Sequence, residues 1–278
     1  MSHAPSASEL PDLRVVRATQ LVLHEDADVR RTARLQQRLM VEQVVKNPPI
    51  VAPLEADRFV VLDGANRTSA LAAIGVPDVV VQVVEYEDVA LSTWNHLVAE
   101  MDATALAAAV AASAGVVMAP AKIEDARAAL SARELAAYLV VPDGSVFALR
   151  ATRGPSGLAS ALREIVAAYV GRSDIYRVQR DELEPLLAYY TEIGGLLVYP
   201  PFTPGDIREH ALHDAKLPTG ITRHILAGRA LRLNTELRFL WSDTTLAEKN
   251  RWLSEWSRHK LQASEIRFYP ESTFLFDE

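Results

Sequence analysis

The amino-acid sequence predicts a mixed α/β (α+β) fold of two domains behind a short tail, and three observations carry that prediction. Short β-branched runs such as Val60-Val61-Leu62 and Val79-Val80-Val81 alternate with stretches whose apolar residues recur at helical spacing. At 278 residues the chain is long enough to bury a sizeable core and to form one or two domains. Beyond an alanine-rich stretch, two apolar runs flank Pro142-Asp143-Gly144, a hairpin signal that opens a second structured region. The expected division is a disordered tail over residues 1–11, a first domain over 12–100 and a second over 101–278.

Taken in order, Leu13-Arg14-Val15-Val16 reads as a strand, and Gln20-Leu21-Val22-Leu23 as a second that leads into His24-Glu25. Residues 29–45 carry Leu35, Leu39, Val41 and Val45 on a helical period, and Asn47-Pro48-Pro49 is expected to stop that helix. Ile50-Val51-Ala52-Pro53 and Arg58-Phe59-Val60-Val61-Leu62 read as strands around a turn containing Asp57. A short helix is expected after Asp63-Gly64, ending at Gly75, followed by the valine-rich strand 78–84. Ser92-Thr93-Trp94-Asn95-His96 is expected to begin or cap a further helix. The alanine-rich run 103–114 reads as a packed helix ending at Gly115. Further helices are expected at 157–170, 182–190, 204–214 and 246–259.

The most informative stretch is Val60-Val61-Leu62-Asp63-Gly64-Ala65-Asn66-Arg67-Thr68. Strand, tight turn and helix N-terminus place unpaired backbone N–H groups, one carboxylate and one guanidinium around a single point. Such a point suits an anion, because a helix N-terminus offers orphan donors and a partial positive charge. Gly64 allows the sharp turn, Asn66 is expected to cap the helix, Arg67 is suited to grip phosphate oxygens, and Asp63 to hold a divalent metal. The competing reading is an ordinary Asp-Gly turn with ordinary capping. The stretch lacks the glycine and lysine spacing of a Walker loop or of a dinucleotide fingerprint.

Composition narrows the chemistry. A net charge of −7 and a pI near 5.6 argue against non-specific nucleic-acid binding as the main task. Cysteine is absent, which excludes disulfides, thiolate metal sites and cysteine nucleophiles, and fits a cytoplasmic location. The first eleven residues lack the apolar segment of a signal peptide, and no apolar run approaches the ~20 residues that cross a bilayer, so no membrane association is expected.

Two further clusters carry candidate chemistry. Glu25 lies just beyond a strand end, where a glutamate can accept a hydroxyl proton during phosphoryl transfer; the plainer reading is a solvated acidic residue. Residues 217–231 bring Thr222, Arg223, His224 and Arg229 into one Pro- and Gly-containing segment able to recognise a carboxylate or phosphate, or alternatively to form a basic surface loop. Trp94 either walls a small pocket or fills the core. Trp252 and Trp256, four apart, are expected to pack, and His210 and His213 have no third ligand at metal spacing.

Together these segments resemble a known group. The strand–Asp63-Gly64-x-Asn66-Arg67–helix element looks like the phosphate motif of the ParB/sulfiredoxin superfamily. Within it the chain is more similar to free L-serine kinases, including the siderophore-pathway type that makes O-phospho-L-serine. The likeness runs through His24-Glu25, Asn47 to Val51, Asp63 to Gly75, Ser92 to His96, Tyr199 to Pro204 and Pro218 to Asn234. The resemblance implies a ParB/sulfiredoxin-like N-terminal domain, a second α+β domain, and an active site in the cleft between them. It implies Glu25 as the base acting on the serine hydroxyl. Asp63 and Arg67, with Gly64, Ala65, Asn66 and Thr68, are implied to serve nucleotide phosphates and Mg²⁺. Trp94, Thr222, Arg223, His224 and, more weakly, Arg229 are implied at the acceptor or the transferred phosphate, with ATP or ADP as donor. The family's usual histidine before the motif arginine is Asn66 here, which can donate a hydrogen bond but carries no charge. A sulfiredoxin activity requires a cysteine, which the chain lacks. A ParB-like nucleotide-dependent DNA-binding protein and a non-catalytic regulator sensing nucleotide or amino acid are the alternatives. DNA binding is disfavoured by the acidic charge, by the lack of a clear helix-turn-helix after the motif, and by the missing arginine pair of the usual ParB motif.

Overall fold

The computed structural model describes residues 10–152 and 155–269, and the chain divides into two compact units. Unit 1 comprises residues up to Leu23, Ala27–Ala90 and His224 onward; unit 2 comprises His24–Asp26 and Leu91–Arg223. The mixed α/β character expected from the sequence is observed. The division itself differs from contiguous domains meeting at residue 100, because the C-terminal segment belongs with the N-terminal one. The tail expected over residues 1–11 lies, up to residue 9, outside the described residues.

Unit 1 begins with β1 (Asp12–Arg17), β2 (Leu21–Leu23), α1 (Val29–Glu42), β3 (Val44–Val45), β4 (Ile50–Pro53), β5 (Phe59–Asp63), α2 (Ala65–Ala73) and β6 (Asp78–Val83). Five strands form one sheet in the order β1-β6-β4-β5-β2. The β1/β6 and β4/β5 pairs are antiparallel, and β4/β6 and β2/β5 parallel. Every residue of β6 is buried, so its near-continuous valine run reflects burial on both faces. Helix α1 ends at Glu42 rather than at the Asn47-Pro48-Pro49 stop. Gln43 adopts the left-handed conformation and closes it, after which the chain turns extended as β3.

Unit 2 follows with β7 (Ala90–Thr93), β8 (Asn95–Ala99), α3 (Ala103–Ala111), β9 (Val116–Ala121), α4 (Ile123–Ser131), β10 (Ala137–Val140) and β11 (Val146–Ala151). It continues through α5 (Pro155–Ala167), β12 (Asp174–Val178), α6 (Glu184–Leu187), β13 (Ile193–Val198), α7 (Pro204–Leu212) and β14 (Thr222–Ile225). Six strands make an antiparallel sheet in the order β12-β8-β13-β10-β11-β9. The segment Ser92 to His96, expected to start a helix, is instead the corner between β7 and β8. Its Ser-Thr-x-Asn composition suits a cap equally well, but Leu97 and Val98 bury fully as strand residues and decide the outcome. Around this sheet pack Leu97, Tyr138, Leu196, Leu130 and Val198.

The chain then returns to unit 1 as β15 (Thr235–Glu236), α8 (Leu237–Trp241) and α9 (Leu246–Gln262). Strand β15 pairs with β3, and Leu237, Leu240 and Leu253 join Val51, Val61, Leu71, Val79 and Val81 in one core. A buried ion pair fastens the return. Lys249 on α9, fully buried, donates to Asp78 Oδ2 at 2.7 Å and to the carbonyls of Leu240 and Ser242, satisfying all three ammonium protons.

Candidate functional site

The candidate residues fall into two groups, one in each unit. In unit 1, β5 delivers Asp63 and Gly64 begins the turn into α2. Gly64 holds φ at +95° and is the N-cap of α2, so Asn66, expected as the cap, lies inside the first turn. A β-carbon on Gly64 would stand 3.0 Å from Arg67 Nη1 and 3.2 Å from Pro49 Cα, so only glycine fits both the conformation and the space. Arg67 Nη1 donates to the Pro48 carbonyl at 3.2 Å, which places its guanidinium against the turn. Asp63 Oδ2 accepts from Arg229 Nη1 at 3.1 Å, both side chains being rather more than one-third exposed. Arg229 is carried by a loop that Gln82 holds at both ends: its amide nitrogen donates to Gly228 O and its amide oxygen accepts from Ala230 N, each at 2.9 Å. Ala65 is buried, and so is Thr68, whose Oγ1 is the one buried side-chain polar atom without a hydrogen-bond partner among the described residues.

Asn66 has a different task from capping its own helix. Its Oδ1 accepts from the backbone N–H of Asp28 at 2.6 Å and from Thr32 Oγ1 at 3.4 Å, tying the start of α1 to the start of α2. Its amide nitrogen makes no hydrogen bond among the described residues.

In unit 2, Glu25 is aligned beside Leu217 through a parallel bridge, with Asp26 N–H donating to Leu217 O and Leu217 N–H to His24 O. The Glu25 carboxylate accepts, through Oε2, from Gly220 N–H and from Thr222 Oγ1, each at 3.3 Å. Thr222 Oγ1 also lies 3.0 Å from His24 Nε2. Since its single proton goes to the carboxylate, the hydroxyl oxygen accepts from the imidazole. The Arg223 guanidinium lies over the Trp94 ring at 4.4 Å, and Trp94 N–H donates to Ile221 O. Glu25, Trp94, Thr222 and Arg223 thus gather in unit 2. His224, the next residue along β14, belongs to unit 1, where its buried ring hydrogen-bonds Tyr86, with Nε2 2.8 Å from Tyr86 Oη.

Sequence reasoning missed His96 and the tyrosines behind this group. His96, buried on β8, sits with Nε2 3.2 Å from Gly220 O and Nδ1 2.7 Å from Tyr169 Oη, and Tyr169 in turn hydrogen-bonds Tyr199. Burial pushes the His96 imidazole down to about 4, opposed by its bond to the Gly220 carbonyl. Burial likewise raises both tyrosine hydroxyls above their ordinary value. Their aromatic and imidazole type more often means packing, and although His96 and Tyr199 fall in stretches that carry the resemblance, nothing in the sequence gave them a task. Two features carry no candidate residue. No group of three or more His, Asp or Glu among the described residues is arranged to hold a metal. A cavity of about 550 Å³ beside α8 and α9 is lined by Phe239, Trp252, Trp256 and their neighbours.

The fold is that of the solved free serine kinases. A free serine kinase in complex with AMP superposes with a TM-score of 0.71 at 15% identity, covering 83% of this chain and 94% of that one. A single-residue variant of a free serine kinase in complex with ADP gives 0.71 at 14% identity over 83% of this chain and 95% of that one. The particular relative matched along the whole length is the ATP-dependent L-serine kinase SbnI of Staphylococcus aureus, 22% identical over 96% of this chain and 97% of that protein. The structure of SbnI with a C-terminal truncation has a TM-score of 0.71, 20% identity, and covers 89% and 96% of the two chains. An ATP-dependent L-serine kinase of Desulfurococcus mucosus is 29% identical over 29% of this chain and 32% of its own length. No protein-family model matches the chain. The chain is homologous to L-serine kinases, as the resemblance implied.

Proposed function

We propose that the protein phosphorylates free L-serine, transferring the γ-phosphoryl group of ATP to the serine hydroxyl to give O-phospho-L-serine and ADP. The observation that carries this reading is the Glu25 carboxylate, held by Gly220 N–H and the Thr222 hydroxyl, in a chain homologous over its length to L-serine kinases. A base fixed in this way is suited to accept the serine proton as the new O–P bond forms and the bond to the ADP oxygen breaks, the leaving oxygen keeping the electron pair.

The turn at Gly64 and the first residues of α2, Ala65 to Thr68, are proposed to receive the nucleotide phosphates. The reading is supported by the helix N-terminus, by the guanidinium of Arg67, by the orphaned Thr68 hydroxyl and by the uncommitted Asn66 amide. Asp63 fits Mg²⁺, which commonly takes one or two protein carboxylates and completes its shell with phosphate and water. When bound, Mg²⁺ neutralises charge on the β- and γ-phosphate oxygens. Trp94, Thr222, Arg223 and Arg229 are proposed to bind the amino acid or the transferred phosphate, with His224 supporting them through the strand it shares with Thr222 and Arg223. ATP is preferred over ADP as the donor because both curated relatives are ATP-dependent.

The test is a coupled assay with purified protein, Mg²⁺, and ATP or ADP, scanned across free amino acids. O-phospho-L-serine formed with ATP is the expected product. Nucleotide binding without product from any acceptor would overturn the kinase reading in favour of a non-catalytic sensor. Affinity for DNA that falls steeply with salt, without phosphoserine, would favour the ParB-like alternative.

A further inference from the structure

We infer that His96 is a positioning residue for Glu25, acting through Gly220 to hold the N–H that the carboxylate receives. This inference rests on the reading of Glu25 as the base.

All of its members lie in unit 2. A carbonyl oxygen only accepts, so His96 Nε2, at 3.2 Å from Gly220 O, carries the imidazole proton. His96 Nδ1 is then an acceptor and receives the Tyr169 hydroxyl proton at 2.7 Å. The Tyr169 oxygen, having given its proton, accepts from Tyr199. Proton donation therefore runs in one direction, from Tyr199 to Tyr169 to His96 to the Gly220 carbonyl, while on the other side of the same residue Gly220 N–H donates to Glu25. Gly220 adopts φ of +82°, and a β-carbon there would overlap the Arg177 guanidinium packed on it. The residue that faces Glu25 is thus held in a conformation few side chains tolerate by a bond to each of its two polar groups.

The burial of His96, which keeps its imidazole neutral down to about pH 4, holds this single arrangement throughout any neutral assay. Titratable and charged groups at Glu25 and its loop include His24, through Thr222, and Arg177, which packs against Gly220 and also acts on His96. Asp26, with Lys216, Arg163 and Asp214 around it, adjoins on the Leu217 side.

The deciding measurement is the pH dependence of kcat/KM for L-serine in wild type, His96→Asn and His96→Gln. Glutamine can place a donor near the position of Nε2, whereas asparagine is too short. For His96→Asn the expected result is a kcat lowered by about tenfold to a hundredfold, with KM for nucleotide unchanged. The acid limb should move up by roughly half to one pH unit, because the carboxylate loses an N–H donor. His96→Gln should restore most of both. A folded His96→Asn protein with the wild-type profile, or a His96→Gln protein as impaired as His96→Asn with the acid limb unmoved, overturns the inference. If His96→Asn does not fold, Tyr169→Phe decides, since it removes only the hydroxyl that fixes the His96 tautomer: the same shift in smaller measure supports the role, and a wild-type profile overturns it. Glu25→Gln run alongside separates the two levels. Retained serine turnover in that variant removes the base reading itself, whereas lost turnover beside an unperturbed His96→Asn protein removes only the positioning role.

Discussion

At the scale of single residues, Asn66 shows how one side chain divides its chemistry. Its oxygen is committed to Asp28 N–H and Thr32, while its nitrogen is uncommitted among the described residues. Asn66→Asp keeps the acceptor and removes the donor, and an acidic residue in the first turn of a helix is itself favourable by about 0.3–1 kcal/mol. Thermal stability is therefore expected to hold while nucleotide affinity falls by at least about tenfold, as a carboxylate replaces a donor beside phosphate; calorimetric titration with unfolding scans checks both. Glu25→Gln is expected to lower serine turnover by roughly 10²–10⁴-fold with nucleotide binding retained, read by single-turnover kinetics beside a binding isotherm. The strand, turn and helix around Asp63 to Arg67 were legible in the sequence because a strand, a breaker and a helix start lie within a few residues. The share of Asn66 was not legible, because its partner N–H is 38 positions away.

Among elements, the strands of unit 1 were legible wherever burial made them unbroken runs of valine, as in β6. The corner from β7 to β8 was not, since Ser, Thr and Asn serve turns and helix caps alike, and only the sheet on which Leu97 and Val98 bury settles the choice. Helix α1 ended early for a related reason: Gln43 in the left-handed conformation is a stop that a non-glycine residue does not advertise. Helix α9 is held by Lys249, whose ammonium satisfies Asp78 and two carbonyls in full burial. Lys249→Met leaves those acceptors short of a donor and is expected to cost about 3–5 kcal/mol, Arg17 remaining as the other partner of Asp78. Chemical denaturation measures it, and a loss within about 0.5 kcal/mol would show that the pair contributes little.

For the molecule as a whole, acid stability follows from burial. The folded His96 takes up a proton only near pH 4, whereas the unfolded chain does so near its ordinary 6.5. The unfolded state therefore binds more protons in that interval, and stability falls as the pH drops from about 6.5 to 4, by about 3 kcal/mol from this group. His210, also pushed down by burial, adds in the same direction, and Asp26, whose carboxyl burial pushes up, works against it. Unfolding free energies measured across that range should flatten in His96→Gln relative to wild type. The division of the chain was the least legible feature. Composition changes little along it, and the strands and helices of residues 224–278 give no sign that their core partners are Val51, Val61 and Val79. A chain ending at Arg223 loses Leu237, Leu240, Leu253 and Lys249 from that core and is expected not to fold cooperatively, as circular dichroism on heating reports.

Glu25 receives its N–H from a residue 195 positions further along. A ribosome adding about 5–20 residues each second takes on the order of 10–40 seconds to span that interval. Throughout it the glutamate is already made and Gly220 and Thr222, which hold its carboxylate, are not, so for most of its synthesis the nascent chain carries an unheld carboxylate. The hold on Glu25 is thus completed only in the last fifth of the chain.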